Sequence, residues 1–593
     1  MSLLRKLLLP VILILLGYAF WQSEDIKQIT SGVAIFLFGM LSIEDGFQRF
    51  SGGFLERLLR SSTNRLWKSV NFGIITTTLM QSSSLVSILT ISFLSAGLID
   101  LAGGIGIIFG ANIGTTTGAW LLAGYGLKVK LSTYAMPMLV FGIIFVFQKS
   151  ETLKAVGWVI AGVGFLFLGI HNMKEGFEAF RGAIDLSAYA VPGFLGLLIF
   201  TALGIMATVI MQSSHATLVL IITALAASQI TYENALALSI GANVGTTITA
   251  ILGSLSANAV GKRLAGAHLI FNLVTAVVAI GFIHQFLIVV DWISLHVNIA
   301  EDNYTLRLAV FHTLFNVVGV ILVIPFVKML VRFLEKAIRD QTAELKQPKY
   351  LNDAVLESPH ATLAAVHNES IRLYDLSLKV IANGIGFKKR ELITELELNE
   401  LTNYVQPVPG KNINEAYEVR IKLIFSAIVE FVVIARESMS GSSAKSLQKH
   451  SRAVRELAAA IKGVKHLQKN LLIYINSPNS EIKAAYNHLR SLIVIVIRDI
   501  QQVRELEDAT EIKPKLKEAL VRIEADSDLS RKRIEKMIRK EEISAEMATS
   551  LITDTEYAHD VCRRMISMAK KLFGNQMQVS AQEEEEMAEI LDS

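Results

Sequence analysis

The sequence predicts an all-α membrane protein made of two inverted repeats, each with a re-entrant hairpin and a broken helix, followed by a cytoplasmic helical bundle. Three observations predict it. Apolar residues and glycines crowd the first 340 positions, one long segment is written twice, and the count of membrane crossings between the two copies is odd.

The 593-residue chain is 52% hydrophobic with a mean hydropathy of +0.45, more than soluble globular chains carry. All five tryptophans precede residue 300, and 33 of the 39 glycines precede residue 341. Glycine is frequent in membrane helices, and tryptophan gathers at membrane interfaces. Beyond Gln341 the chain turns charged and helix-forming, which divides it into a transmembrane part, 1–340, and a cytoplasmic part, 341–593. A net charge of +4 is too small to imply a field for nucleic acid. The single cysteine, Cys562, excludes an internal disulfide and fits a reducing cytosol.

A spanning helix needs about 20 apolar residues. Unbroken runs occur at about 7–22, 30–48, 131–148, 155–172, 264–284 and 306–327. The first reads as a retained helix rather than a signal peptide, because no small-x-small cleavage site follows it. Two further blocks, 66–124 and 193–253, are apolar but interrupted by Gly, Ser, Thr, Asn and Gln. Irregular backbone at membrane depth survives only where protein buries it or water reaches it. Each block therefore reads as a re-entrant hairpin followed by a broken helix. With the N-terminus inside, the inner loops collect 13 Lys and Arg, among them Arg57 and Arg60, against 6 in the outer ones, among them Lys128 and Lys130. Both termini are thus expected in the cytoplasm.

A shift of 131 residues lays Met80–Leu121 over Met211–Leu252 without a gap, with 17 identities in 42 pairs. The match continues upstream at a shift of 130, where GVAIFLFGMLSIEDGFQRF from Gly32 meets GVGFLFLGIHNMKEGFEAF from Gly162. Many identities fall on Gln, Ser, Gly, Asn and Thr, which apolar composition alone does not supply. The repeats cover about 30–125 and 160–255. Three crossings separate Gly32 from Gly162, so the second copy is expected upside down, as in secondary transporters with a midplane site.

The polar clusters are Gln81, Ser82, Ser83 and Ser84, then Gln212, Ser213, Ser214 and His215, with Asn112, Thr115 and Thr116 and their counterparts Asn243, Thr246 and Thr247. Helix-start N–H groups at a hairpin tip attract an anion. Hydroxyl and carboxamide oxygens suit a hard cation such as Na⁺. Neither motif holds a Lys or Arg, so anion binding must rest on dipoles, hydroxyls and co-bound cations. His268 and His312 read as packed, hydrogen-bonded structural histidines.

The paired QSS segments, each followed some thirty residues on by GANxGTT, resemble the sodium-dependent phosphate cotransporter family, in its bacterial type II members. GAHLIFN (Gly266–Asn272) and FHTLFNVVGVILVIPF (Phe311–Phe326) are similar to the family's His-x-x-Phe-Asn helices. The resemblance covers about residues 30–330. It implies Na⁺-coupled transport of inorganic phosphate, with both QSS segments contributing to the phosphate and sodium sites. His215 departs from the pattern, which carries a third serine there.

From about Leu351 to Phe573, long amphipathic helices are separated by turns at Gln406–Gly410 and Ser477–Asn479 and followed by an acidic run, Glu583–Glu586. This bundle resembles the PhoU family of phosphate regulators through Glu556-x-x-x-Asp560. Spacing of four puts both carboxylates on one helix face, as a divalent metal site requires. The reading is a sodium-coupled phosphate symporter of the bacterial inner membrane, alternating access between its repeats under control of the bundle. The alternative is a membrane phosphate sensor that binds without moving its ligand. No resident cofactor and no catalytic residue is expected. The partners are phosphate, Na⁺ and the lipid bilayer, with no nucleic acid; a homo-oligomer stays open.

Overall fold

The computed structural model describes residues 13–14, 17–50, 65–126, 131–181, 191–340, 347–393, 413, 417–437, 439, 441–506 and 508–574. Among them every regular element is helical. Most of the first apolar run, Arg57, Arg60, Lys128, Lys130, the turn at Gln406–Gly410 and the acidic run at Glu583–Glu586 lie outside the described residues. The chain divides into two compact units, Met1–Asp340 and Gln341–Ser593.

In the first unit, α1 (Glu24–Phe50) precedes a block of α2 (Leu66–Met80), α3 (Ser83–Ala96) and α4 (Leu101–Leu121), which ends in a π turn at Leu122–Gly126. After α5 (Leu131–Val146), the order repeats. Helix α6 (Glu151–Arg181) precedes α7 (Gly193–Met211), α8 (Ser214–Ala226), α9 (Tyr232–Gly245) and α10 (Thr247–Ser254). Four helices close the unit: α11 (Ala259–Gly281), α12 (Ile283–His296), α13 (Tyr304–Val323) and α14 (Val327–Ala337). Seven stretches among the described residues are long and apolar enough to cross a bilayer, making this an all-α membrane protein.

Helices α3 and α8, of 14 and 13 residues, are about 20 Å long at 1.5 Å per residue. A hydrocarbon core is about 30 Å thick. At that length neither helix crosses it alone, and each packs on the helix before it.

Glycine sets the packing inside each copy. A Cβ on Gly110 of α4 would lie 1.9 Å from the Val70 carbonyl oxygen of α2, and one on Gly73 would lie 2.1 Å from that of Ile107. The second copy repeats both contacts, Gly241 at 2.0 Å from Thr201 O and Gly204 at 2.2 Å from Leu238 O. Each partner lies 131 residues beyond its twin. These helices touch backbone to backbone, as small residues permit in membrane proteins.

Between copies the contact is reciprocal. On α1, Gly32 faces Gly169 and Gly39 faces Gly162, while Gly46 meets Ala155 and Val159 and Gly176 of α6 meets Asp25 and Ile29. At a shift of 130, these are one set of contacts read in both directions, the signature of a twofold interface. Residue numbers rise along α1 as they fall along α6, so the two equivalent helices run antiparallel.

One expectation fails. Helix α4 continues through Gly114–Thr116 without the predicted break, whereas α9 gives way to α10 at Thr246. The copies differ at the Asn: Asn243 donates out of α9 to Asn316, whereas Asn112, like Thr115, Thr116 and Thr117, donates to a carbonyl three or four residues back in α4. Their polar groups are thereby satisfied without irregular backbone.

The second unit contains α15 (Pro359–Gly384), α16 (Lys389–Ile393), α17 (Lys422–Glu437), α18 (Gly441–Tyr474), α19 (Ser480–Glu505), α20 (Ala509–Arg539) and α21 (Ala545–Leu572). Helix α21 packs on α18, α19 and α20. Arg490 is fully buried, its Nε donating to Ile385 O at 2.8 Å and its guanidinium lying 4.2 Å from the Phe387 ring centre. Burial lowers its pKa to about 10. Asp526 ties three helices together, accepting from His488 Nε2 at 2.9 Å and His559 Nε2 at 3.0 Å. Burial opposes its ionisation, but these bonds and one from Ser530 hold its carboxyl well below the usual carboxylate range.

Two outcomes follow for the purified full chain in detergent. Gly110→Ala and Gly241→Ala each cost about 1–3 kcal/mol, read as a lower Tm, while Gly281→Ala, with open space at its Cβ, leaves Tm unchanged. Because the Asp526 pKa is depressed on folding, its stabilisation is present above the unfolded value of about 4 and fades as pH falls below it. Asp526→Asn therefore lowers Tm at pH 7, and the gap to the parent chain narrows in more acid buffer.

Candidate functional site

The turn between α2 and α3 is built by two residues. Gln81 adopts the left-handed conformation (φ 52°, ψ 22°) that ends α2. Ser82 then caps α3, its side chain accepting from Leu85 N at 3.2 Å. The second copy does the same: Gln212 (φ 54°, ψ 21°) ends α7, and Ser213 caps α8 by accepting from Ala216 N at 3.1 Å. A left-handed non-glycine residue costs roughly 1–2 kcal/mol, and strain of this kind concentrates at functional sites. The Gln81 amide donates to Thr78 O at 2.5 Å and to Thr117 Oγ1 at 3.3 Å; Gln212 is exposed.

The tips meet on α1. Ser82 hydrogen-bonds Glu44, Ser213 Oγ lies 3.7 Å from Met40 Sδ, and the His215 ring stacks 5.9 Å from Phe36. Residues four apart on a helix have Cβ atoms about 5–6 Å apart. The capping serines of the two copies thus lie against one turn of α1. Each tip opens a helix whose first-turn N–H groups and positive dipole end favour an anion. The Glu44 carboxylate beside Ser82 favours a cation instead. Sequence reasoning missed Glu44, although an acidic residue inside an apolar span was a usable signal.

The two copies also touch across their polar motifs. Thr249 Oγ1 of α10 donates to Ser84 Oγ at 3.3 Å. The equivalent pair is His215 and Gly118, where a Cβ on Gly118 would lie 1.8 Å from the imidazole Cε1. One interface position thus holds serine with threonine and its twin holds histidine with glycine, so the absent glycine side chain makes room for the ring. This explains the one departure from the serine pattern.

Thr115 and Thr246 donate to the carbonyls of Ala111 and Ala242, and Thr116 and Thr247 to those of Ile113 and Val244. Their hydrogens point into their own helices, which leaves oxygen lone pairs for a cation. Asn243 Nδ2 donates to Asn316 Oδ1 at 2.7 Å, its Oδ1 lies 3.3 Å from His312 Nε2, and Asn316 donates back to His312 O. His312 is hydrogen-bonded as expected. His268 is not: neither ring nitrogen, nor either side-chain polar atom of Asn272, has a hydrogen-bond partner among the described residues, although both side chains are buried. Ser83 and Ser214 occupy the first turns of α3 and α8.

In the second unit, Glu556 and Asp560 lie one turn apart on α21, and Asp560 is ion-paired with Arg564 at 2.7 Å. Among the described residues no three His, Cys, Asp or Glu side chains gather as a metal site.

Paired helix turns, reciprocal packing and polar tips inside an apolar unit define a multi-pass α-helical membrane protein in which two copies of one segment meet at their polar residues. Residues 35–175 and 197–299 match the Na⁺/Pi-cotransporter family. Both matched stretches lie within the membrane unit, which is similar to that family. It is 29% identical over 350 residues to a protein of Salmonella typhimurium (strain LT2) and 30% identical over 349 residues to one of Escherichia coli (strain K12). Both carry the provisional name inorganic phosphate export protein YjbB. Each alignment covers 58% of this chain, which spans 62% of the length of those relatives. Uncharacterized protein YqeW of Bacillus subtilis (strain 168) is 24% identical over 308 residues, 51% of this chain and 95% of its own. No solved structure matches.

The cross-copy swap is testable. Gly118→Thr alone lowers Tm or abolishes folding, because the new side chain meets the His215 ring. Adding His215→Ser restores the serine–threonine pairing of the twin and recovers the Tm, with a coupling of about 0.5–3 kcal/mol in the double-mutant cycle.

Proposed function

We propose that this chain is a secondary transporter that moves inorganic phosphate coupled to Na⁺, by alternating access between two inverted repeats. The observation that carries the reading is the meeting of Ser82 and Ser213, the caps of α3 and α8, on one turn of α1. Two helix N-termini from opposed copies then face a shared space, and a tetrahedral oxyanion is the ligand that two sets of N–H and hydroxyl donors suit. The reciprocal antiparallel packing of α1 on α6 supports the inversion, since it relates the copies by a twofold. Neither motif holds a fixed Lys or Arg, so the charge of phosphate must be offset by a co-bound cation. Glu44, with the lone pairs of the paired threonines, supplies oxygen ligands for one.

The names of the relatives favour phosphate leaving the cell. In this reading the protein sits in a bacterial inner membrane with both termini in the cytoplasm, and the helical second unit acts as a PhoU-like regulator of flux. Glu556 and Asp560 are its candidate metal ligands, with the Asp560–Arg564 ion pair as competitor for any cation there.

In proteoliposomes, ³²P-phosphate moves when a Na⁺ gradient is imposed and stays put in a matched K⁺ gradient. Gln81→Gly and Gln212→Gly keep the left-handed turn, remove the carboxamide and each slow flux about 10- to 100-fold, as loss of a hydrogen bond to a charged ligand does. Glu44→Gln raises the Na⁺ concentration needed for half-maximal flux. Flux indifferent to Na⁺ overturns the coupling, and phosphate binding without any flux replaces the transporter by a receptor.

A further inference from the structure

Helices α11 and α13 are copies of each other. At a shift of 44 residues, Leu264, Ala265, His268, Phe271, Asn272 and Val274 recur as Leu308, Ala309, His312, Phe315, Asn316 and Val318. Their surroundings correspond as well. Helix α11 packs on α3, α4, α9 and α10. Helix α13 packs on α8, α9, α4 and the π turn after α4, which are the counterparts of those four in the other copy. The two helices touch at equivalent residues, a Cβ on Gly319 falling 2.0 Å from Thr275 Cγ2. Equivalent residues meet in this way only on a twofold axis. Helix α5, which the 131-residue register pairs with α11, lies along α6 instead.

The pseudo-twofold therefore pairs His312 and Asn316 on Asn243 with His268 and Asn272 on Asn112. Contact of α11 with α4 is direct, through Phe271 on Phe109 at 4.5 Å and Leu264 beside Gly104. Asn112 lies one turn beyond Phe109 on the same face. Yet the two trios differ. In the second copy, His312, Asn243 and Asn316 close a hydrogen-bonded chain. In the first, the Asn112 amide donates to Ile108 O within its own helix, while the side chains of His268 and Asn272 make no hydrogen bond among the described residues despite full burial. Buried polar groups rarely go unpaired.

We propose that His312–Asn316 and His268–Asn272 are positioning residues for Asn243 and Asn112, acting as two latches of which one closes while the other opens. This conformation has the α13 latch shut on the second copy and the α11 latch released from the first. The opposite conformation exchanges them: Asn112 leaves Ile108 O to bond His268 and Asn272, and Asn243 lets go of His312 and Asn316. The exchange explains why unpaired polar atoms are retained at 268 and 272, since their partner belongs to the other state. It rests on the transport reading and gives that reading its alternating element.

The test is hydrogen–deuterium exchange on the full chain in nanodiscs, read at the peptides covering 110–116 and 241–247, beside ³²P-phosphate flux. Asn316→Leu breaks the shut latch, raising exchange at 241–247 and lowering it at 110–116 by about fivefold in rate. Asn272→Leu removes the alternative latch and shifts both peptides the other way. His312→Phe reproduces Asn316→Leu, while His312→Gln, which keeps a donor near the Nε2 position, stays at parental rates. Opposed shifts establish the latches whether or not phosphate flux is seen, so failure of the transport reading shows separately as absent flux in the parent chain. Shifts of the same sign in the two leucine variants, or no shift in either, overturn the proposal.

Discussion

The rest of the membrane unit depends on helices that touch backbone to backbone. Where Gly39 faces Gly162 and Gly32 faces Gly169, no side chain separates α1 from α6. In lipid, apolar side chains gain little by leaving the bilayer for each other, so close approach and dispersion contacts hold helices together. That approach also fixes geometry. Glycines seven apart on each of two antiparallel helices admit one register, and this register makes the two copies of the sequence twofold mates. The rest of α1 then lies where both tips must pass, which is how Met40 and Glu44 come to touch Ser213 and Ser82.

The tips show how one short motif encodes structure and chemistry together. The glutamine closes a helix in a left-handed turn, and the serine after it opens the next helix as its cap. The same two residues place a carboxamide, a hydroxyl and a helix N-terminus at one point inside an apolar layer. Divergence between the copies is confined by contact: His215 is tolerated because its partner across the interface is Gly118, where the twin contact pairs Ser84 with Thr249.

Much of this was legible in the sequence because the duplicated positions are polar or glycine, residue types that apolar helices do not acquire by chance. The equivalence of Gln81 with Gln212 holds in backbone angles, and that of Thr115 and Thr116 with Thr246 and Thr247 holds in their hydrogen bonds, while Asn112 and Asn243 bond different partners. What the sequence hid has physical causes. The break predicted in α4 assumed that Asn and Thr need irregular backbone, whereas their side chains bond back into the helix. Glu44 was read only as part of a repeat, since its contact with Ser82 joins residues distant in sequence. The kinship of α11 and α13 obeys a shift of 44 rather than 131, and it is their packing that shows them as twofold mates. The Gly118–His215 exchange was visible in the alignment, but as two separate mismatches; contact makes them one.

The central claim is that two half-sites, one per copy, make a single anion site. Equilibrium binding of ³²P-phosphate to the purified full chain in Na⁺ buffer tests it most directly. One phosphate bound per chain, lost equally with Gln81→Gly and with Gln212→Gly, is the expected result. Two phosphates per chain, or one that survives substitution in either copy, would contradict it.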